Sequence, residues 1–299
     1  MGKKYFLFYT IFLIGACASI SSCSLFNPPE IIPCYGHIDS IPLIITNSSV
    51  QGTSANAINA AWIYVDDNPI GAFQIPCTFP IIATTGPHKV EIFAGIENVG
   101  DAGSRLKYPF YTSYMIPNLT LTQGSTTKFK PTIQYANWTD IPLLENFDNE
   151  ISPKFYTVPG IEPSDTSMFI VKKANNPNVY QGIASGEVYL DGAKHINYYG
   201  FSDTFDLKND GNAVFMEMNY KTNCVFTVGM YNVYIGGTPV PVVYVDTSSA
   251  WKKMYINLQP TIAHSISQYN AGYRLFFYMN SPGASAQLYL DNIKLVRYK

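Results

Sequence analysis

Charge is scarce in this sequence. Only 13 % of its 299 residues are Asp, Glu, Lys or Arg, and a formal net charge of -2 offers none of the positive field that nucleic acid demands of a partner. Histidine is rarer still. His37, His88, His195 and His264 stand apart, with no neighbouring pattern for a nucleophile relay, and no Cys-x-x-Cys or Cys-His spacing marks zinc. Ser185 in Gly182-Ile183-Ala184-Ser185-Gly186 sits one place too late for a nucleophile elbow, so this stretch reads as a turn. Helical periodicity is missing too: no dozen residues show it convincingly, while 21 Gly and 20 Pro punctuate the chain at short intervals. What fills the space is aromatic. Aromatics are 15 % of the chain, with 23 Tyr, the profile of an extracytoplasmic all-β protein.

The start of the chain has a three-part layout: Lys3-Lys4, an apolar run from Tyr5 to Ala16, then Ile20-Ser21-Ser22-Cys23. A cationic start, a membrane-soluble middle and small residues before a cysteine are what an export signal needs. The segment resembles a bacterial lipoprotein signal, in which the cysteine becomes the first mature residue and carries acyl chains. Cys23 fits that role, and Ile14-Gly15-Ala16-Cys17 makes Cys17 the alternative. An uncleaved transmembrane anchor is the competing reading, but no charged stop-transfer cluster follows Ile20. Removal of 1–22 takes away Lys3 and Lys4 and no acid, so 17 basic groups face 21 acidic ones, a charge of -4. The resemblance implies an outer-membrane protein whose tether, with each acyl methylene worth about 0.8 kcal/mol in the bilayer, holds everything after Cys23 in water. Residues 23–33, with Asn27-Pro28-Pro29 and Pro33, form a stiff Pro-rich spacer.

Two β-sandwich domains are expected after it, at 34–144 and 145–299. In the first, Trp62 to Val65 and Ile70 to Phe73 flank a turn at Asp66-Asp67-Asn68-Pro69, His88 to Gly95 alternates like a strand, and Tyr114 to Thr122 and Thr126 to Gln134 read as a closing hairpin around Gln123-Gly124-Ser125. Glu97 to Pro109 reads as a flexible excursion open to partner contacts. The layout from Val65 to Ile92 resembles the small PEGA-type β-sandwich repeats of surface proteins, without their four-letter signature. Cys34 and Cys77 fall in this domain and offer one disulfide; the alternative is that both, with Cys224, are small core residues.

In the second domain, Asn146-Phe147-Asp148 opens the segment and Leu288 to Leu295, with Asp291-Asn292 at its midpoint, nearly closes the chain. Strand-like runs lie between, at Val214 to Tyr220, Val225 to Met230, Val240 to Val245, Trp251 to Leu258 and Tyr273 to Met279. These ends resemble jelly-roll carbohydrate-binding modules and galactose-binding-like domains. The resemblance implies that the first and last strands lie side by side, with a structural Ca²⁺ held by Asp148 and Asp291; otherwise Asp291 accepts backbone hydrogen bonds instead. The position after the opening Phe holds Asp148 where the family carries Glu.

Glycoside hydrolysis needs two facing carboxylates. Glu217 lies on a strand face with Asn219 and Lys221, so an amide stands where a second acid would complete the pair, and Glu217 reads as a lone surface or groove carboxylate. Catalysis is therefore not expected. For binding, sugar C-H faces stack on rings, and the candidates are Tyr198, Tyr199, Tyr231, Tyr234, Tyr244 and Trp251. Two roles follow for such a lipid-anchored protein: a recognition or assembly subunit of an envelope transport or secretion complex, or a surface protein that captures glycan for polysaccharide uptake.

Overall fold

The protein is described by a computed structural model covering residues 32–149, 151–233, 237–264 and 271–299; Cys17 and Cys23 lie outside these residues. It is almost entirely β-sheet, in two sandwiches. The first contains β1 (Cys34–Ile38), β2 (Ala60–Val65), β3 (Asn68–Gln74), β4 (Cys77–Ile81), β5 (Gly86–Glu97), β6 (Arg105–Lys107), β7 (Tyr114–Leu121) and β8 (Thr126–Phe129), with a single helical turn α1 (Ser48–Gln51). One sheet runs β4-β1-β8 and the other β3-β2-β5-β6, with β7 also on β5.

The β2-β3 hairpin forms where expected, but its turn is tighter. Asp66 and Asp67 both take positive φ, of 50° and 65°, the mirror-image two-residue turn that matches strand twist, and Asn68 already pairs with Val65. The expected hairpin of Tyr114 to Thr122 with Thr126 to Gln134 does not form. β7 pairs with β5, whereas β8 runs parallel to β1, so residues 122–125 carry the chain across the sandwich and let Leu121 and Phe129 enter the core from opposite sheets. Nor do Cys34 and Cys77 meet. They sit at opposite ends of one ladder, Cys34 opposite Ile81 and Cys77 opposite Ile38, about 13 Å apart at strand spacing, and both thiols are free.

The second sandwich is formed by β9 (Thr139–Glu145), β10 (Phe169–Lys172), β11 (Ala184–Leu190), β12 (Asn197–Phe201), β13 (Phe205–Leu207), β14 (Val214–Thr222), β15 (Phe226–Asn232), β16 (Val240–Val245), β17 (Ser248–Asn257), β18 (Ala271–Asn280) and β19 (Ala286–Tyr298), with helix α2 (Gln259–His264). A six-stranded sheet runs β10-β11-β19-β14-β17 with β9 beside β19, and it faces the sheet β12-β18-β15-β16, to which β13 adds at β18. The first and last strands of this jelly roll do lie together. That pairing moves the boundary. Since β9 begins at Thr139, the chain crosses to the second sandwich a few residues before the expected cut at 144.

Strand alternation sends Met216, Met218 and Tyr220 of β14 into the core, with Val228 and Phe277 opposite, and leaves Phe215, Glu217 and Asn219 on the outer face. On β19 the parity changes halfway. Leu288 and Leu290 point inward, but so do Ile293 and Leu295, because Asn292 adopts a left-handed φ of 47° where the β14 register shifts. That bulge turns Lys294 and Val296 outward, toward the first sandwich.

Candidate functional site

The outer faces of the two sheets have different fates. Part of the six-stranded sheet is covered by the first sandwich: Phe215, Tyr255 and Val296 enter that sandwich's core, and Tyr108 packs its ring against Phe215 at 5.2 Å and Tyr255 at 5.0 Å. The excursion from Glu97 to Pro109 makes much of this contact. Val99 N-H donates to Tyr255 O at 2.7 Å, and Asn98 Oδ1 accepts from Asn257 N-H at 2.9 Å. Its partner is thus the chain's own second half.

Glu217 lies at the middle of the junction and is wholly buried, not the surface carboxylate the sequence suggested. Its oxygens accept from Tyr108 OH at 2.7 Å and Tyr135 OH at 2.9 Å. Lys253 Nζ lies 2.9 Å away, outside hydrogen-bond geometry and with no other acceptor among the described residues, and Lys294 Nζ donates to Tyr135 OH at 3.0 Å. Burial works to raise the carboxyl's pKa, but the two ammonium groups and the phenols outweigh it and hold Glu217 below the usual range. Burial, reinforced by Lys253 and opposed by Glu217, brings Lys294 down to about 8. Enclosed by tyrosines, this carboxylate can pair charge and bind the halves together; it is not placed to meet a substrate.

Asp148 and Asp291 do converge, on one segment. Asp148 Oδ1 accepts the amides of Ile183 and Ala184, at 2.8 and 3.2 Å. Asp291 accepts from Ser185 Oγ at 2.8 Å, Gln181 N-H at 3.3 Å and Asn292 N-H at 2.7 Å. Burial, with Asp148 nearby, pushes Asp291 up to about 7 against these donors. Hard cations need oxygens turned toward them, whereas these face N-H and O-H donors, and no group of three or more acid, His or Cys side chains stands ready for a metal among the described residues. As arranged, the pair does not fit Ca²⁺; it caps the backbone of 181–185. Glu145, which the sequence reading passed over, does the same for Phe147 and Lys154.

The outer face of the four-stranded sheet is not covered by the first sandwich, though Thr227, Phe201 and Phe276 on it are buried. On β18, Tyr273, Leu275, Phe277 and Met279 fill the core, so Arg274, Phe276 and Tyr278 stand on the other side. The same alternation on β12 sends Tyr198 into the core and turns Tyr199, half-buried, and Phe201, fully buried, to the other side. Register then assembles a row across four strands: Tyr199 lies opposite Tyr278, Tyr278 opposite Thr227, and Thr227 opposite Tyr244. Tyr199 and Tyr278 stack at 4.2 Å with 25° between planes. Phe201 and Phe276 pack beneath and beside them, at 6.1 and 6.0 Å from Tyr199, and Tyr231 meets Phe201 edge-on at 6.1 Å. Gly229 makes this possible, since a Cβ there would lie 2.2 Å from the Phe276 ring.

Polar groups edge the rings. Arg274 Nη1 donates to Ser202 O at 2.7 Å and Tyr156 OH at 3.1 Å, and Tyr156 OH donates to Asp203 at 2.7 Å. Burial pushes Tyr199 up to about 12, with Tyr278 and Glu162 adding to it, and Tyr278 is raised for the same first reason. Both phenols remain protonated at neutral pH, able to donate and accept.

Of the sequence candidates, Tyr199, Tyr231 and Tyr244 belong to this face. Tyr198 does not: it is fully buried, one residue out of phase, with its hydroxyl unpartnered among the described residues. Trp251 is on β17 of the other sheet, beside Tyr180 at 5.1 Å, and Tyr234 lies outside the described residues. Tyr278, Phe201, Phe276 and Arg274 were missed, although the strict alternation from Tyr273 to Met279 carried the signal.

No protein-family model matches the sequence, and no curated protein does. Among solved structures, similarity extends to the xylan-binding CBM22-1 domain of Paenibacillus barcinonensis Xyn10C, at 16 % identity over 55 % of this chain and 98 % of that one, with a TM-score of 0.37. The family 11 carbohydrate-binding module of Clostridium thermocellum Lic26A-Cel5E matches at 13 % over 51 % and 94 %, TM-score 0.33. A further match is to a β-sandwich carbohydrate-binding module described for promiscuous specificity, at 11 % over 79 % and 84 %, TM-score 0.36. The chain is an all-β protein of two β-sandwiches, the second a jelly roll.

Proposed function

We propose that this protein binds glycan without transforming it, on the outer face of the four-stranded sheet, while acyl chains on Cys23 hold it at the outer membrane. One observation carries the reading: the in-register row Tyr199, Tyr278, Thr227 and Tyr244, on a sheet face the first sandwich leaves free, sets the half-buried rings of Tyr199 and Tyr278 in line with the exposed Tyr244, over buried Thr227, Phe201 and Phe276. Rings accept sugar C-H faces, and protonated phenols, with Arg274 at the edge, meet hydroxyl groups. A glycan-capture role uses this face directly; the transport or secretion subunit reading calls on no particular group of residues, so capture is the better supported. The first sandwich, whose Val65 to Ile92 segment resembles PEGA-type repeats, serves as a brace between tether and binding sheet.

Affinity electrophoresis and calorimetry with xylan, cello- and β-1,4-galacto-oligosaccharides test the reading. Loss of the stacked pair in Tyr199→Ala/Tyr278→Ala should weaken binding by about 1 to 3 kcal/mol, roughly five- to 150-fold, with Tyr198→Phe as a buried control. Equal binding by all three proteins would overturn it. For the tether, palmitate labelling should disappear in Cys23→Ala and persist in Cys17→Ala; the reverse would move the anchor to Cys17.

A further inference from the structure

A second recess lies away from this face, where the two sandwiches meet. Trp138, directly before β9, is 47 % exposed, yet its ring is fixed: Nε1 donates to Pro109 O at 3.1 Å, and the Trp138 carbonyl accepts from Lys299 N-H at 3.0 Å. The indole is one wall of a cleft of about 690 Å³ shared with Thr46, Asn47, Val50, Gln134 and Asn137. Ligand pockets commonly fall in this size range. Its charges are already engaged. Asp140 is held by Arg297 at 2.8 Å, and the Lys299 ammonium donates to the Asn137 carbonyl. The side-chain amides of Gln134 and Asn137, in contrast, have no hydrogen-bond partner among the described residues and stand exposed at the cleft.

We propose that this inter-sandwich cleft is a second sugar site, taking about one or two units of a neutral, hydroxyl-rich oligosaccharide. The immobile indole supplies the flat apolar face that a pyranose C-H surface stacks on. Amide groups donate and accept from adjacent atoms, the pattern that neighbouring hydroxyls present in return. Because charge on the walls is internally paired, an anionic ligand gains nothing here over a neutral one. The ligand class rests on the glycan-binding reading above, but the residues are separate from those of the sheet face.

Intrinsic fluorescence reports on the cleft, because the chain has only three tryptophans, Trp62, Trp138 and Trp251. Xylohexaose, cellohexaose and β-1,4-galactotetraose are titrated by fluorescence and calorimetry into the full mature chain and its variants. In the Tyr199→Ala/Tyr278→Ala background, one binding event with a tryptophan signal should persist. Trp138→Ala should abolish it, and Gln134→Ala, at an exposed position that leaves folding intact, should weaken it by about three- to tenfold. If both cleft variants bind every sugar as the parent does, the cleft proposal fails; should the tyrosine variants still lose binding, the sheet-face reading stands. If cleft variants lose binding and tyrosine variants do not, the cleft stands and the sheet face fails. No sugar bound by the parent chain overturns both.

Discussion

Replacing Glu217 by Gln keeps the shape of the side chain and removes one charge from a site closed to water. What is left behind decides the cost. Lys253 Nζ, 2.9 Å from the carboxylate, has no other acceptor, and Lys294 keeps only Tyr135 OH and the Thr53 carbonyl at 3.4 Å. Two ammonium groups would remain buried without a counter-ion, and one of the two tyrosine hydroxyls would face an amide N-H instead of an acceptor. Breaking a buried ion pair from one side costs about 3 to 5 kcal/mol, and at about 2 to 4 °C per kcal/mol for a chain of this size Tm should fall by roughly 6 to 20 °C. Scanning calorimetry on the purified mature protein reads it, with urea titration as the check. The triple variant Glu217→Leu, Lys253→Met and Lys294→Met should recover most of the loss, since apolar replacement of a whole buried ion cluster is often neutral or better. A Glu217→Gln protein melting with the parent would refute the argument that this carboxylate joins the two sandwiches.

Other outcomes follow from the same geometry. Lys294 titrates near 8 when folded and near 10.5 when free, so the unfolded chain holds the extra proton between those values and stability should rise with pH across that window; Lys294→Met should flatten the rise in Tm measured from pH 8 to 10. Glu217 has the opposite limb: with its folded value below the ordinary 4.5, its contribution is present above that pH and is lost as pH falls through the folded value, a loss that urea titrations should find absent in the triple variant. Gly229→Ala should displace the Phe276 ring, costing about 1 to 3 kcal/mol in urea unfolding, and should weaken sugar binding at the sheet face in calorimetry. Asp148→Ala frees the amides of Ile183 and Ala184 and should cost about 1 to 3 kcal/mol, while Ca²⁺ in place of EGTA should leave the parent Tm where it was, because the acid oxygens face donors.

Much of the architecture was legible in the residues. Strands at Val214, Val240 and Tyr273 announced themselves by alternation, and Phe147-Asp148 with Asp291-Asn292 marked the two ends that meet. Other partners distant in sequence were not legible. β9, with Pro142 inside it, fell to the first domain in the sequence because its hydrogen bonds go to β19, about 150 residues away. Glu217 occupies an outward strand position, which period-2 reasoning assigns to water; only the placement of Tyr108 and Tyr135 from the other sandwich buries it. The same blindness separated Tyr198 from Tyr199. Both are tyrosines on one strand, and the choice between core and binding face turns on a single residue of phase, which Gly200 beneath the Tyr198 ring settles in three dimensions.

The most direct test of the account is a ¹⁵N chemical-shift titration of the mature protein with xylohexaose and β-1,4-galactotetraose. The account predicts shifts grouped on β12, β18, β15 and β16 around Tyr199, Phe201, Thr227, Tyr244, Phe276 and Tyr278, beside a separate group around Gln134 and Trp138. Saturating sugar that leaves those amides in place, or that moves only residues on the six-stranded sheet, would contradict it.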